Sequence, residues 1–179
     1  MNGRFEETDT VGFWKRVGMT LLDIMILVVP NLLLYKWSHS LVETFHSEIP
    51  IVIRWAVIFG FNLFMVIKFG GTPGKLLLKA RIVNGQGNYP NLKEALIRNC
   101  LYILSVIFSI IFEISQYDYT SFSRYISLWA DLASDLSGIL GFVLLADCLI
   151  IALSRENQAL HDLMAGTYVV NKDALDAKE

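Results

Sequence analysis

The sequence predicts an all-α membrane protein, a four-transmembrane-helix bundle with a short amphipathic cytoplasmic segment between helices 2 and 3. Three observations carry that expectation. Of 179 residues, 54% are hydrophobic and 18% charged, with a mean hydropathy of +0.49, whereas soluble domains run near ~45–50% apolar and ~25% charged. The apolar residues gather in four blocks, 17–35, 51–69, 95–114 and 136–153, each 18–20 residues long. Lys and Arg then fall very unevenly on the two sides those blocks would define. The chain reads as one domain over 1–179, with a cytoplasmic tail at 154–179.

Each block suits one crossing. At ~1.5 Å per residue a helix of this length spans ~27–30 Å, the thickness of a bilayer's hydrocarbon core. Backbone groups in lipid must bond within their own segment, so the blocks are expected to be helices. The first block reads as an uncleaved span rather than a signal peptide. Arg4 before it is outweighed by Glu6, Glu7 and Asp9, and no small-x-small cleavage site follows it.

Four spans put both ends and the central loop on one side. That side holds twelve of the fifteen Lys and Arg residues, leaving Lys36, Arg54 and Arg124 on the other. The positive-inside rule makes the basic side cytoplasmic. Trp14, Trp37, Trp55 and Trp129 lie near the expected interfaces, as an aromatic belt requires. The expected location is the bacterial cytoplasmic (inner) membrane, multi-pass, with both termini inside.

The loops differ in character. Outside, Ser38–Pro50 is short and polar, and Ser121–Asp135 has the spacing of an interfacial helix or an extension of the fourth span. Inside, Gly70-Gly71-Thr72-Pro73-Gly74-Lys75 lacks the first Gly and the Ser/Thr of a phosphate loop, where Phe69 and Leu76 stand, so it reads as a break ending the second span. Lys75, Lys79 and Arg81 among Leu76–Val83 form a basic amphipathic stretch suited to headgroups. Asn84-Gly85-Gln86-Gly87-Asn88 is a turn signal, expected to close a short hairpin.

Several function classes drop out. A net charge of −2 suggests no nucleic-acid partner. Cys100 and Cys148 lie far apart inside apolar runs, in neither a disulfide nor a metal pattern. His39 and His46, flanking Glu43, read as a solvated outer loop. His161 has no nucleophile near it in sequence and reads as a cap or a packing residue. No enzyme, cofactor or metal site is expected.

Four pieces form a recognisable set: Gly12-Phe13-Trp14-Lys15-Arg16 leading into a helix with Asp23; Gly71-Thr72-Pro73-Gly74-Lys75; Arg98; and Gln158-Ala159-Leu160-His161-Asp162-Leu163-Met164-Ala165-Gly166-Thr167 before Val169-Val170. From Gly12 to Val170 the chain resembles the RDD family of bacterial membrane proteins, named for an arginine and two aspartates. The resemblance maps these onto Arg16, Asp23 and Asp162, and implies a membrane protein in a family where transport has been proposed for some members.

Position arithmetic adds a further expectation. Arg16 and Asp23 are seven residues apart, two turns, so they share a face and Asp23 lies ~10 Å into the membrane. Asn62 stands seven residues before Phe69, Ser105 seven after Arg98 and Asp147 six before Leu153, near the cytoplasmic ends of the other blocks. Asp23, Asn62, Ser105 and Asp147 would then form one oxygen-rich layer. A buried aspartate costs roughly 2.5–3.5 kcal/mol and normally marks an ion or proton path or pairs with a cation. The leading reading is monovalent cation/proton transport or exchange at this layer, through Asp23 and Asp147. The other is a non-transporting scaffold or partner-binding module in which Arg16, Asp23, Arg98 and Asp162 are structural clamps. Small residues at Ala130, Ser134 and Gly138, and at Ala133, Ser137 and Gly141, would let helices approach within one chain or in a homodimer.

Overall fold

The computed structural model describes residues 9–119, 121–154 and 157–177. Arg4, Glu6, Glu7, Arg155 and Lys178 from the charge argument lie outside them, as does the side chain of Cys148. In chain order the elements are α1 (Phe13–Phe45), α2 (Ile49–Phe69), α3 (Pro73–Leu77), β1 (Ala80–Asn84), α4 (Leu92–Arg98), α5 (Cys100–Ser115), α6 (Ser121–Ser127), α7 (Ala130–Leu153), α8 (Leu160–Ala165), β2 (Thr167–Asn171) and α9 (Lys172–Asp176).

Among the described residues two helical stretches are long and apolar enough to cross a membrane, Phe13–Phe45 and Ile49–Leu77. A third joins them if α4 and α5, bent by 64°, count as one span. Only 6% of the apolar window in α1 is buried by protein, so Leu21, Met25, Val29 and Leu33 form an exposed apolar surface. The fourth apolar block falls inside α7, which starts at Ala130 rather than at Leu136.

Three expectations are corrected. The protein is mostly helical but not all-α, because β1 pairs antiparallel with β2, from Ala80↔Asn171 to Asn84↔Thr167. The basic stretch after α2 is not one amphipathic surface segment. Ala80, Ile82 and Val83 are buried, because β2 and the chain before α1 cover them. The Asn84–Asn88 turn forms, with Asn84 Oδ1 accepting from the Gln86 and Asn88 amides at 3.0 and 3.1 Å, but it closes no local hairpin. The partner strand lies far downstream.

The third apolar block is also broken. Asn91 and Glu94 cap the start of α4 reciprocally. At Asn99 the side-chain amide donates to the Ala95 carbonyl at 2.8 Å, competing with the helix ladder where the axis turns. The expected outer loop after the first block is largely helical, since α1 continues to Phe45.

The chain divides into two compact units. One comprises the described residues up to Leu27, Phe61–Cys100 and those from Leu145 on; the other comprises Val28–Gly60 and Leu101–Leu144. In the first, Val11, Met19, Val66, Ala80, Ile82, Ala95 and Val169 form a core. The pre-helix segment joins its sheet: Val11 N–H donates to Val169 at 2.8 Å, and Asn171 N–H to Asp9 at 2.9 Å. In the second, Val42, Ile51 and Ile114 pack with Trp55, Ile110, Tyr117 and Ile126.

Candidate functional site

The first unit holds a buried charge hub around Asp162. This residue stands in the first turn of α8 and is fully buried. Its Oδ2 accepts from Arg16 Nη1 at 2.6 Å and from the Ala159 amide at 3.2 Å, so it both pairs and caps its helix. Its Oδ1 accepts from Arg98 Nη1, which also donates to Thr167 Oγ1 at 2.8 Å. Arg16 is spread further: Nε donates to the Val11 carbonyl at 3.0 Å and Nη2 to the Asn157 carbonyl at 2.5 Å. One carboxylate thus ties α1, α4 and α8 through charge-assisted bonds.

Asp23 and Asp147 each have partners of their own. Asp23 receives the turn after α2: Oδ1 accepts from the Gly74 amide at 2.7 Å and Oδ2 from Thr72 Oγ1 at 2.6 Å, with Lys75 Nζ 3.8 Å away. Gly74 is required there, because a Cβ would stand 2.3 Å from the Met19 carbonyl oxygen. Asp147, on α7, accepts from the His161 amide at 3.1 Å and contacts His161 Nδ1. The other ring nitrogen of His161 is 3.4 Å from Asp162 Oδ1. Burial, reinforced by Arg98 and Arg16, pushes the His161 imidazole down to about 4 against the upward pull of Asp147. Near neutral pH the ring is therefore uncharged, and Nδ1–H donates to the carboxylate.

These contacts set the geometry against which relatives can be compared. A model of the RDD family matches residues 10–166. The chain belongs to the RDD family. It is also similar to YckC of Bacillus subtilis (strain 168), an uncharacterized protein, at 28% identity over 158 residues, 88% of this chain and 82% of the relative. No solved structure matches the chain.

The RDD hub unites Arg16, Arg98 and Asp162 directly, while Asp23 lies on the Thr72–Lys75 turn instead. Asn62 hydrogen-bonds to neither Asp23 nor Asp147 among the described residues, and Ser105 belongs to the second unit. Of the small-residue ridges, Gly138 and Gly141 have open space where a Cβ would stand, so no helix is pressed against them among the described residues.

The second unit contains a polar cluster that the sequence reading missed. Arg54, only 4% exposed, pairs with Glu113 Oε2, which also accepts from Trp55 Nε1 at 3.0 Å. His39 Nε2 lies 3.1 Å from Glu113 Oε1, and His39 Nδ1 contacts the Tyr117 hydroxyl. Beside them is a cavity of about 430 Å³, lined in part by Ser109, Gln116, Ser134 and Ser137. A signal was available: Arg54 sits inside one apolar block and Glu113 inside another, and opposite charges in apolar helices tend to find each other.

Proposed function

We propose that this RDD protein is a four-span protein of a bacterial cytoplasmic membrane, with both termini in the cytoplasm, acting as a non-transporting scaffold or partner-binding module. The arginine and aspartate residues serve as clamps that fix a small juxtamembrane platform, β1, β2 and α8, to the helix ends. The observation that carries this reading is Asp162, fully buried and shared by Arg16 and Arg98. A carboxylate held by two guanidiniums is poorly suited to giving up its place to a passing ion. Asp23 is likewise occupied by Thr72, Gly74 and Lys75.

Exchange of monovalent cations and protons is the second reading, with Asp23, Asp147, Asn62 and Ser105 as its site. It is favoured by the succession Asp147, His161, Asp162, which puts a titratable ring between two acids. Proton flux into liposomes holding the purified protein separates the two, with Na⁺, K⁺ and Li⁺ supplied in turn. The scaffold reading expects no cation-dependent proton movement. A flux that Asp23→Asn or Asp147→Asn abolishes, in protein that remains folded, overturns it.

A further inference from the structure

We infer that a crevice beside the charge hub seats one anionic lipid, with its acidic headgroup on Lys75 and Arg98 and an acyl chain along α1 and α7. The inference rests on the membrane placement proposed above. The crevice has a volume of about 440 Å³. Phe13, Val17 and Leu21 line it at spacing four, one face of α1, and Leu149 and Ile151 supply α7's share of an apolar wall. Leu21 and Leu149 are 56% and 60% exposed, so this wall is open to the surrounding medium.

The polar end presents cations to the crevice, with their partners Asp162 and Asp23 behind them. Arg16, Lys75, Arg98 and the neutral His161 line it, and no carboxylate does among the described residues. Arg98 decides the chemistry. It is only 8% exposed and spends Nη1 on Asp162 and Thr167, while Nε and Nη2 find no hydrogen-bond partner among the described residues. A guanidinium offers five donors in a fixed fork, and those of Nε and Nη2 are not sealed inside the protein, so they stay available where Arg98 lines the crevice. An anionic oxygen in the crevice matches them. Inorganic phosphate would leave the apolar wall uncovered, whereas an anionic lipid satisfies both ends. Basic pockets between membrane helices on the cytoplasmic side hold acidic headgroups on the same principle.

The test is native mass spectrometry of the full chain in neutral detergent. The probes are phosphatidylglycerol, phosphatidylcholine with the same acyl chains, and inorganic phosphate. The expected result is one phosphatidylglycerol retained per chain, preferred over phosphatidylcholine, and held roughly fivefold more weakly by Lys75→Gln. Leu149→Trp, at an exposed position, fills the apolar wall and lowers phosphatidylglycerol retention with the hub intact, which an unchanged melting temperature verifies. Equal retention of the two lipids overturns the inference, as does wild-type retention by folded Leu149→Trp. Phosphate bound as well as lipid also overturns it, reducing the seat to a plain anion site. A chain washed from membranes by carbonate defeats the membrane placement itself, whereas a membrane-retained chain without lipid preference defeats only the seat.

Discussion

Replacing Asp162 by Asn tests the hub most directly. The side chain has no solvent exposure, and Arg16 and Arg98 are 8% exposed each, so the substitution leaves two buried guanidiniums facing a neutral amide. Breaking a buried ion pair from one side costs roughly 3–5 kcal/mol. For a chain of this size each kcal/mol lowers Tm by about 2–4 °C, so a drop of roughly 6–20 °C is expected. Thermal unfolding in detergent, followed by far-ultraviolet circular dichroism, measures it. Asp118→Asn is the control, since the Asp118–Arg124 pair is 3.6 Å long with side chains 74% and 77% exposed. Such surface pairs contribute about 0–1 kcal/mol. The triple change Arg16→Met, Arg98→Met and Asp162→Leu removes all the hub charges and recovers most of the loss, short of about 1 kcal/mol for the lost α8 cap. If Asp162→Asn is as mild as Asp118→Asn, the clamp is not holding the fold and the reasoning fails.

Other expectations follow from the same contacts. Gly74→Ala pushes a methyl group into the Met19 carbonyl and costs about 2 kcal/mol or more, whereas Gly18→Ala meets only Leu78 Cδ1 at 3.8 Å and gains about 0.5–1 kcal/mol; paired melting curves show both signs. Because the folded state holds His161 neutral, with its pKa lowered from 6.5 to about 4, its contribution to stability is complete above pH 6.5 and declines as the pH falls toward 4. His161→Gln flattens that part of the Tm–pH curve, and a wild-type slope in the variant counts against the assignment. Glu113→Ala strands Arg54, whose side chain is 5% exposed, and costs about 3 kcal/mol by thermal melting, against little change for exposed Glu43→Ala.

That α1 and α2 are helices long and apolar enough to cross a membrane could be read from the apolar blocks alone, since few charged side chains interrupt them. Arg16, Arg98 and Asp162 were also legible as a charge network, because cations and an acid at apolar margins leave few alternatives to pairing. The strands were not. Ala80–Asn84 and Thr167–Asn171 are five residues each, and what makes them strands is mutual cover, which neither segment announces alone. The partners of Asp23 and Asp147 were hidden for a different reason. Counting residues from a helix end fixes height but not direction, and the nearest donors decide direction: the Gly74 amide for Asp23, the His161 amide for Asp147. The bend at Asn99 and the helical run through His39 depend on side-chain hydrogen bonding and on packing against Glu113 and Tyr117, which hydropathy does not see.

The hub also imposes an order of events on biosynthesis. Asp162 lies 146 positions after Arg16 and 64 after Arg98. At ~5–20 residues per second a ribosome needs roughly 7–30 s to make the acid after the first arginine. Until then Arg16, joined by Arg98 once that residue is made, is without its native counter-charge, and the stretch before α1 has no β2 to lie against. The nascent protein thus stays unlatched until nearly the last of its described residues has emerged. A message truncated before Asp162 yields a chain whose two hub arginines have no acid to pair with.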